Sequence, residues 1–458
     1  MPHSVASQNR MTEGSISGKL IRFAFPLFLG NLFQQLYNVA DTLIVGNFLG
    51  PRALAAVSST GSLIFLLISL FGGIAAGGGV VISRFFGARD VPALRRAVHT
   101  AVAFGLSAGV LVTAAGVLLT PQLLVWMGTP EEVLPLAVTY VRTFFAGAVG
   151  LVLYNTCMGI MQAVGDSRHP LQYLILSSCL NVSMDLLMIG VFHLGVFGAA
   201  LATIVAQFIS AALCLARLLL VREEYRVSLR EVRFDPTMLR MILRYGLPSG
   251  LQNSIIALAN VVVQSNINAF GEMAMAGCGA YARVEGFAFL PITSFTMALT
   301  TFVGQNLGAR EFDRAKRGAR FGILCAVGLA EAVGVVIYLL APLLIGAFTD
   351  EAAAIAFGVQ KARTCALFFC LLAASHGCSA VLRGAGRAVV PMVTMLAFWC
   401  VLRVSFLTVM VPIVGSIAVV NWVYPLTWGC STVALLIYYL RVDWLHGFER
   451  EKHQKTSS

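Results

Sequence analysis

The chain has 458 residues, of which 58% are hydrophobic and only 12% charged. With a mean hydropathy of +0.83, this excludes an ordinary soluble domain, where about half the residues are apolar and about a quarter charged. The formal net charge of +11 does not point to nucleic acid, because the basic residues sit at the ends of apolar runs and form no single patch.

Apolar runs of about 20 residues, long enough for a helix to cross roughly 30 Å of hydrocarbon, recur twelve times. In chain order they cover 20–45, 53–82, 97–120, 135–162, 170–190, 196–220, 241–268, 276–305, 320–345, 354–382, 390–411 and 415–440. No long alternating segments interrupt them, so the pattern predicts an all-α integral membrane bundle and not a transmembrane barrel. The polar residues 1–18 lack the regions of a cleavable signal peptide, and the first span is expected to stay in the mature protein.

Charges between the spans set the expected topology. Arg84, Arg89, Arg95 and Arg96 follow span 2; Arg222, Arg226, Arg230, Arg233 and Arg240 lie between spans 6 and 7; Arg310, Arg314, Lys316 and Arg317 follow span 8. Arg383 and Arg387 follow span 10, and Arg441, Arg450, Lys452 and Lys455 close the chain, while the alternate connections carry little but Arg52 or acids. The positive-inside rule then places both termini in the cytoplasm of a multi-pass protein of the cell membrane, with weak attraction to anionic lipid. Ten cysteines, among them Cys157, Cys179, Cys365, Cys370 and Cys400, are scattered through the spans without metal spacing and read as buried free thiols.

The chain repeats itself. "FFGARD" (85–90) returns as "NLGARE" (306–311), "AVGDSRHP" (163–170) as "GAGRAVVP" (384–391), and Arg142-Thr143 as Arg363-Thr364, each 221 residues later. "IRFAFP" (21–26) returns as "LRYGLP" (243–248), one residue further on. Six spans per half make the repeats parallel, a plan that suits secondary transporters. The expected organisation is a tail at 1–18, a first lobe at 19–221, an Arg-rich linker at 222–240, a second lobe at 241–443 and a tail at 444–458.

Polar residues then stand out at helical spacing. Asn31, Gln34, Asn38 and Asp41 share one face of span 1, with Tyr37 beside it. Asn181 and Asp185 are four apart in span 5, Thr203 and Gln207 are four apart in span 6, and Asn155 lies in span 4. A carboxylate at membrane depth costs roughly 2.5–3.5 kcal/mol and marks function by default. Burial and mutual repulsion favour keeping a proton on one of two such acids, whereas sodium, a hard cation, would take Asp41, Asn181, Asp185 and Thr203 as oxygen ligands. The residues alone leave both open, together with the plainer reading that the acids only bond neighbouring helices.

Pro26 and Pro248 occupy matching places near the starts of spans 1 and 7, either as bends inside a helix or as first-turn prolines. The second half keeps a polar stripe, Asn253, Asn260 and Gln264 with Gln252 adjacent, but has Val262 and Phe406 as the mates of Asp41 and Asp185. His376 is the mate of Asn155, and Arg283, Glu285, Glu331 and Arg403 also fall near membrane depth. "GGIAAGGG" (72–79) lacks the ending of a phosphate-binding loop and reads as close helix packing.

Taken in order, "FPLFLGNLFQQLYNVADTLIVG", the GARD and GARE loops, "GDSRHP", "NVSMDLL" and "FVGQNLGA" resemble the multidrug and toxic compound extrusion (MATE) family over nearly the whole chain. The resemblance implies a V-shaped pair of six-helix lobes and an ion-coupled antiporter for cationic or amphipathic organic compounds, with no cofactor beyond the coupling ion. It implies coupling at Asp41, Asn181, Asp185 and Thr203, a cavity lined by Gln34, Tyr37 and Asn155, and a bend at Pro26; the polar stripes add Asn38, Gln207, Asn253, Asn260, Gln264 and His376 to the expected substrate cavity. Asn253, Asn260, Gln264 and His376 stand where other members carry second-lobe acids, which favours the first lobe for coupling. Three alternatives remain at this stage: an exporter of lipid-linked sugars with the same architecture, an intramembrane aspartyl protease, whose GxGD is missing, and a channel. A monomer is the expected state, with no nucleic-acid partner.

Overall fold

The computed structural model describes residues 10–446, apart from the side chains of several residues between 51 and 67. Among the described residues every regular element is helical. Eleven helices are long and apolar enough to cross a membrane, and a bent pair makes up to a twelfth. They are α1 (Ile16–Gly50), α2 (Ile68–Gly87), α3 (Val91–Trp126), α4 (Leu134–Ala146 and Ala148–Ala163, bent by 47°), α5 (Arg168–Val191), α6 (Gly195–Leu220), α7 (Pro236–Asn268), α8 (Glu272–Gly308), α9 (Phe312–Gly346), α10 (Ala352–Gly384), α11 (Val389–Val414) and α12 (Ile417–Arg441). Number and order follow the apolar runs. Most of the helices are longer than those runs because they continue into their basic ends, as where α9 begins eight residues before Arg320 and takes in Arg314, Lys316 and Arg317.

The repeat is written into the backbone. Helix Ile16–Gly87 is broken at Gly50 (φ 79°, ψ −177°), a conformation essentially reserved for glycine, and Gly271 ahead of α8 has φ 92° and ψ 179°. The Arg of each GAR loop is left-handed, Arg89 at φ 56° and Arg310 at φ 62°, as are Gly165 and Gly386. Each pair is 221 residues apart. Both α5 and α11 loosen into a π-helical segment, Leu186–Val191 and Leu396–Leu402.

The chain forms two compact units. One is built on Leu29–Gly250, joined by Arg10; the other takes Met11–Phe28 together with the chain from Leu251 onward. Boundaries drawn at 19–221 and 241–443 differ from this in two ways. The linker at 222–240 lies within the first unit, because Tyr225 and Val227 are buried between its arginines. Tyr225 sets its ring edge-on to Phe86, the Ser228 N–H donates to His99 Nε2 (2.9 Å) and the Asp235 N–H to Thr100 Oγ1 (3.1 Å). In α1 and α7, moreover, the chain changes unit two residues after Pro26 and Pro248. Both prolines lie well inside their helices, ten residues or more from the start, which rules out the first-turn reading.

In the second unit, Leu20, Phe23, Ala24 and Leu27 of α1 join a core with Tyr281, Ile292, Phe302, Phe369 and Trp428. Arg314 fastens the preceding turn: Nε donates to the Met11 carbonyl (3.1 Å), Nη1 to Gly14 (2.7 Å) and Nη2 to Glu13 (3.0 Å). Arg314→Ala is expected to cost about 1–3 kcal/mol, the range for charge-assisted bonds discounted for partial exposure. Faster amide exchange at residues 15–20 with a lowered unfolding midpoint checks this; unchanged exchange would remove the clasp.

In the first unit, Gly73 and Gly77 of α2 lie directly against the backbone of Gly250 and Gly246 of α7. The glycine-rich run is a packing seam, as its composition suggests. All ten cysteines are free: Cys157 and Cys365 are buried as expected, Cys370 and Cys400 are half-buried, and Cys179 is exposed.

Candidate functional site

Helical spacing aims one face of α1 at α5 and α6 of the same unit. Val45, one turn after Asp41, packs in one core with Ile189, one turn after Asp185, with Ala199, one turn before Thr203, and with Tyr140 of α4. The two carboxyls meet within hydrogen-bonding reach. Asp185 is wholly buried and Asn181 is 2% exposed. Asp185 also stands at the last α-helical position before the π-helical segment, an irregularity that frequently accompanies functional sites.

Asp41 Oδ1, both Asp185 oxygens, both Asn181 amide atoms and Gln207 Oε1 are buried with no protein partner. Thr203 donates to the Ala199 carbonyl (3.1 Å), which leaves its oxygen lone pairs available. Buried polar groups are almost always paired, and an isolated buried carboxylate is far more costly than a lost amide bond. Two carboxyls in contact need a shared proton or a cation between them. The donor set, two carboxyls, an amide and a hydroxyl, suits a proton or a hard monovalent ion. Among the described residues no cluster of three or more His, Cys, Asp or Glu is placed to hold a metal ion.

The remaining first-unit residues are arranged around this centre less tightly. Tyr37 is half-buried, and its phenol is close enough to feel both acids. Gln34 and Asn38 are exposed on α1. Asn155 donates to the Leu151 carbonyl (2.9 Å) and lines a pocket with Ile68, Phe71, Val112 and Phe145 that contains neither acid. Tyr140, which spacing does not single out, is 7% exposed and shares one packed core with Val45 and Ile189, each one turn beyond an acid.

The double match of a known family decides what kind of protein carries this site. The profile described as MatE fits residues 26–187 and fits again at 248–409. The chain belongs to the MatE family. It is 28% identical to the probable multidrug resistance protein YoeA of Bacillus subtilis, over 94% of this chain and 95% of that protein. It is 30% identical to the probable multidrug resistance protein YpnP of the same organism, over 86% and 88%. A solved structure described as the outward-facing conformation of a multidrug resistance MATE family transporter of the MOP superfamily matches with a TM-score of 0.87 at 27% identity, covering 96% of this chain and 97% of that one.

MatE proteins are multi-pass membrane transporters and not enzymes, so the aspartyl protease alternative falls. The second MatE repeat of this chain has a different interior. Asn253, Asn260 and Gln264 are exposed on α7; Gln264 donates to Asn268 (2.8 Å) and Asn260 accepts from Arg403 (3.4 Å). Gln252 is buried beside Met395. His376 sits edge-on between Phe289 and Trp399, at 6.1 and 5.5 Å between ring centres, with Nε2 buried and unpaired. Arg283 lies over the Phe348 ring, and Glu331 accepts from the Cys370 N–H (3.0 Å).

Proposed function

We propose that this MatE protein is a secondary antiporter that exchanges protons or sodium ions for cationic or amphipathic organic compounds. Asp41 and Asp185 carry the coupling ion, Asn181 and Thr203 complete its oxygen shell, and Gln34, Tyr37, Asn38, Asn155 and Gln207 line the way to it. The carrying observation is the set of buried carboxyl and amide oxygens on α1 and α5 that no protein donor meets. The names of the Bacillus relatives support efflux of drug-like compounds, and the acids of the first repeat favour cations over phosphate-bearing lipids. The placement of basic residues supports cytoplasmic termini in the cell membrane. One charge moving down 100 mV supplies about 2.3 kcal/mol for the exchange. Pro26 and Pro248, each two residues before the chain changes unit, are the positions where α1 and α7 would bend.

The test uses purified protein in liposomes loaded with a fluorescent organic cation, under separately imposed proton and sodium gradients. Dye movement under one gradient, lost in Asp41→Asn, is the expected result and names the coupling ion. Dye that moves under neither gradient, or as fast in the variant, would overturn the proposal.

A further inference from the structure

The second unit buries two cations against one acid. Lys361 of α10 is 4% exposed and Arg403 of α11 is 2% exposed. Lys361 Nζ stands over the rings of Tyr281 (5.5 Å) and Tyr424 (4.9 Å). The Arg403 guanidinium stands over Tyr424 (4.6 Å) and Trp399 (5.3 Å), so the two charges share the Tyr424 ring. Arg403 Nη2 donates to Thr427 Oγ1 (2.9 Å) and Nη1 to Asn260, while its Nε is buried without an acceptor.

Glu285 of α8 is the acid whose charge reaches both cations. It takes a hydrogen bond from the Tyr281 hydroxyl (3.2 Å), and neither Lys361 nor Arg403 forms a salt bridge among the described residues. At most one negative charge faces two positive ones, an excess of at least one. Attraction to aromatic faces offsets only a fraction of what an unpaired buried ion costs.

A further buried polar group lies on the same helix as Tyr424. Asn421 of α12 is wholly buried, one turn before Tyr424, and its backbone carbonyl meets Cys365 Sγ one turn after Lys361. Both atoms of its side-chain amide lack a partner. A cationic nitrogen, together with a guanidinium N–H and an amide N–H that are both buried without acceptors, is what an anion requires.

We propose that Lys361, Arg403 and Asn421 form a binding site for a monovalent anion in the second unit, either a halide or the carboxylate of an amphipathic compound. The site lies wholly within that unit and stands apart from the coupling role of Asp41 and Asp185.

The experiment measures thermal unfolding of the purified full-length protein in sodium gluconate, chloride and benzoate at equal ionic strength. Relative to gluconate, chloride or benzoate is expected to raise the wild-type midpoint by about 2–4 °C at saturation. Lys361→Gln should lose the shift. Asn421→Asp supplies the missing carboxylate internally, so it should also lose the shift while raising the gluconate midpoint; this second variant keeps the test decisive if Lys361→Gln fails to fold. A shift with chloride alone identifies a halide site, and a shift with benzoate alone a site for an organic carboxylate. Equal wild-type midpoints in the three salts, or a shift that survives in Asn421→Asp, would overturn the proposal. Cation efflux measured on the same preparations separates the two readings, since loss of either behaviour leaves the other standing.

Discussion

Asp185→Asn is expected to lower gradient-driven efflux by roughly a hundredfold, about 2.7 kcal/mol in the rate-limiting barrier, while leaving the protein as stable as wild type or more so. The two effects have one origin. Asp185 is wholly buried and neither oxygen meets a protein donor, so a neutral amide of the same shape relieves a burial cost while removing the group that takes and releases the ion. Asp41→Asn should behave alike, and the double variant should be no worse than either single one. Two carboxyls that hold one ion act as a unit, and loss of either member abolishes that function. Efflux measured in the three variants decides it. If the losses multiply, the acids work at separate sites; if Asp185→Asn transports normally, its carboxyl only fills space between helices.

How far this centre was legible follows from helical geometry. Asn181 with Asp185, Thr203 with Gln207, and Asn38 three residues before Asp41 are spacings that bring polar atoms to one face, and in apolar helices a polar face is conspicuous. Tyr140 left no such trace, because one tyrosine among Val, Thr and Phe reads as packing until its neighbours are known. Lys361 was invisible for a related reason. It falls near the start of an apolar run, where a lysine is expected to extend toward the interface; in the fold it turns onto the Tyr281 and Tyr424 rings. Arg403 and Glu285 were noticed as intramembrane charges, but nothing in one-dimensional spacing connects residues on α8, α10 and α11.

The fold was more legible than the boundaries between its units. Twelve apolar runs and a constant repeat shift are properties of the chain itself, and they reappear in paired backbone conformations such as those of Arg89 and Arg310. Where a unit ends depends instead on which side chains are buried. The stretch 222–240 is crowded with arginine, yet Tyr225 and Val227 tie it to the first unit. Likewise the proline pair, Pro26 and Pro248, is visible by repetition, but the passage of the chain into the other unit just beyond each depends on packing, which composition does not encode.

Substitutions in the glycine-rich run of α2 should change stability with opposite signs at neighbouring positions. Alanine gains roughly 0.8–1 kcal/mol over glycine in a helix interior. At Gly72 an added Cβ meets nothing within 4 Å, and at Gly78 it meets Ala101 Cβ and Ile242 Cγ2 at 3.9 Å, ordinary contact in both cases. Gly72→Ala and Gly78→Ala are therefore expected to be neutral or stabilising. At Gly73 and Gly77 the same Cβ runs into the backbone of Gly250 and Gly246, and no flexible side chain is there to give way. Separating the helices costs more than the usual 1–3 kcal/mol of overpacking, because close backbone approach is the source of attraction between helices in lipid. Gly73→Ala and Gly77→Ala are expected to lower the unfolding midpoint, and Gly77→Leu to prevent recovery of monodisperse protein. Detergent-phase thermal unfolding of the four alanine variants provides the test: if all four shift in the same direction, helix propensity governs this segment and the α2–α7 seam does not.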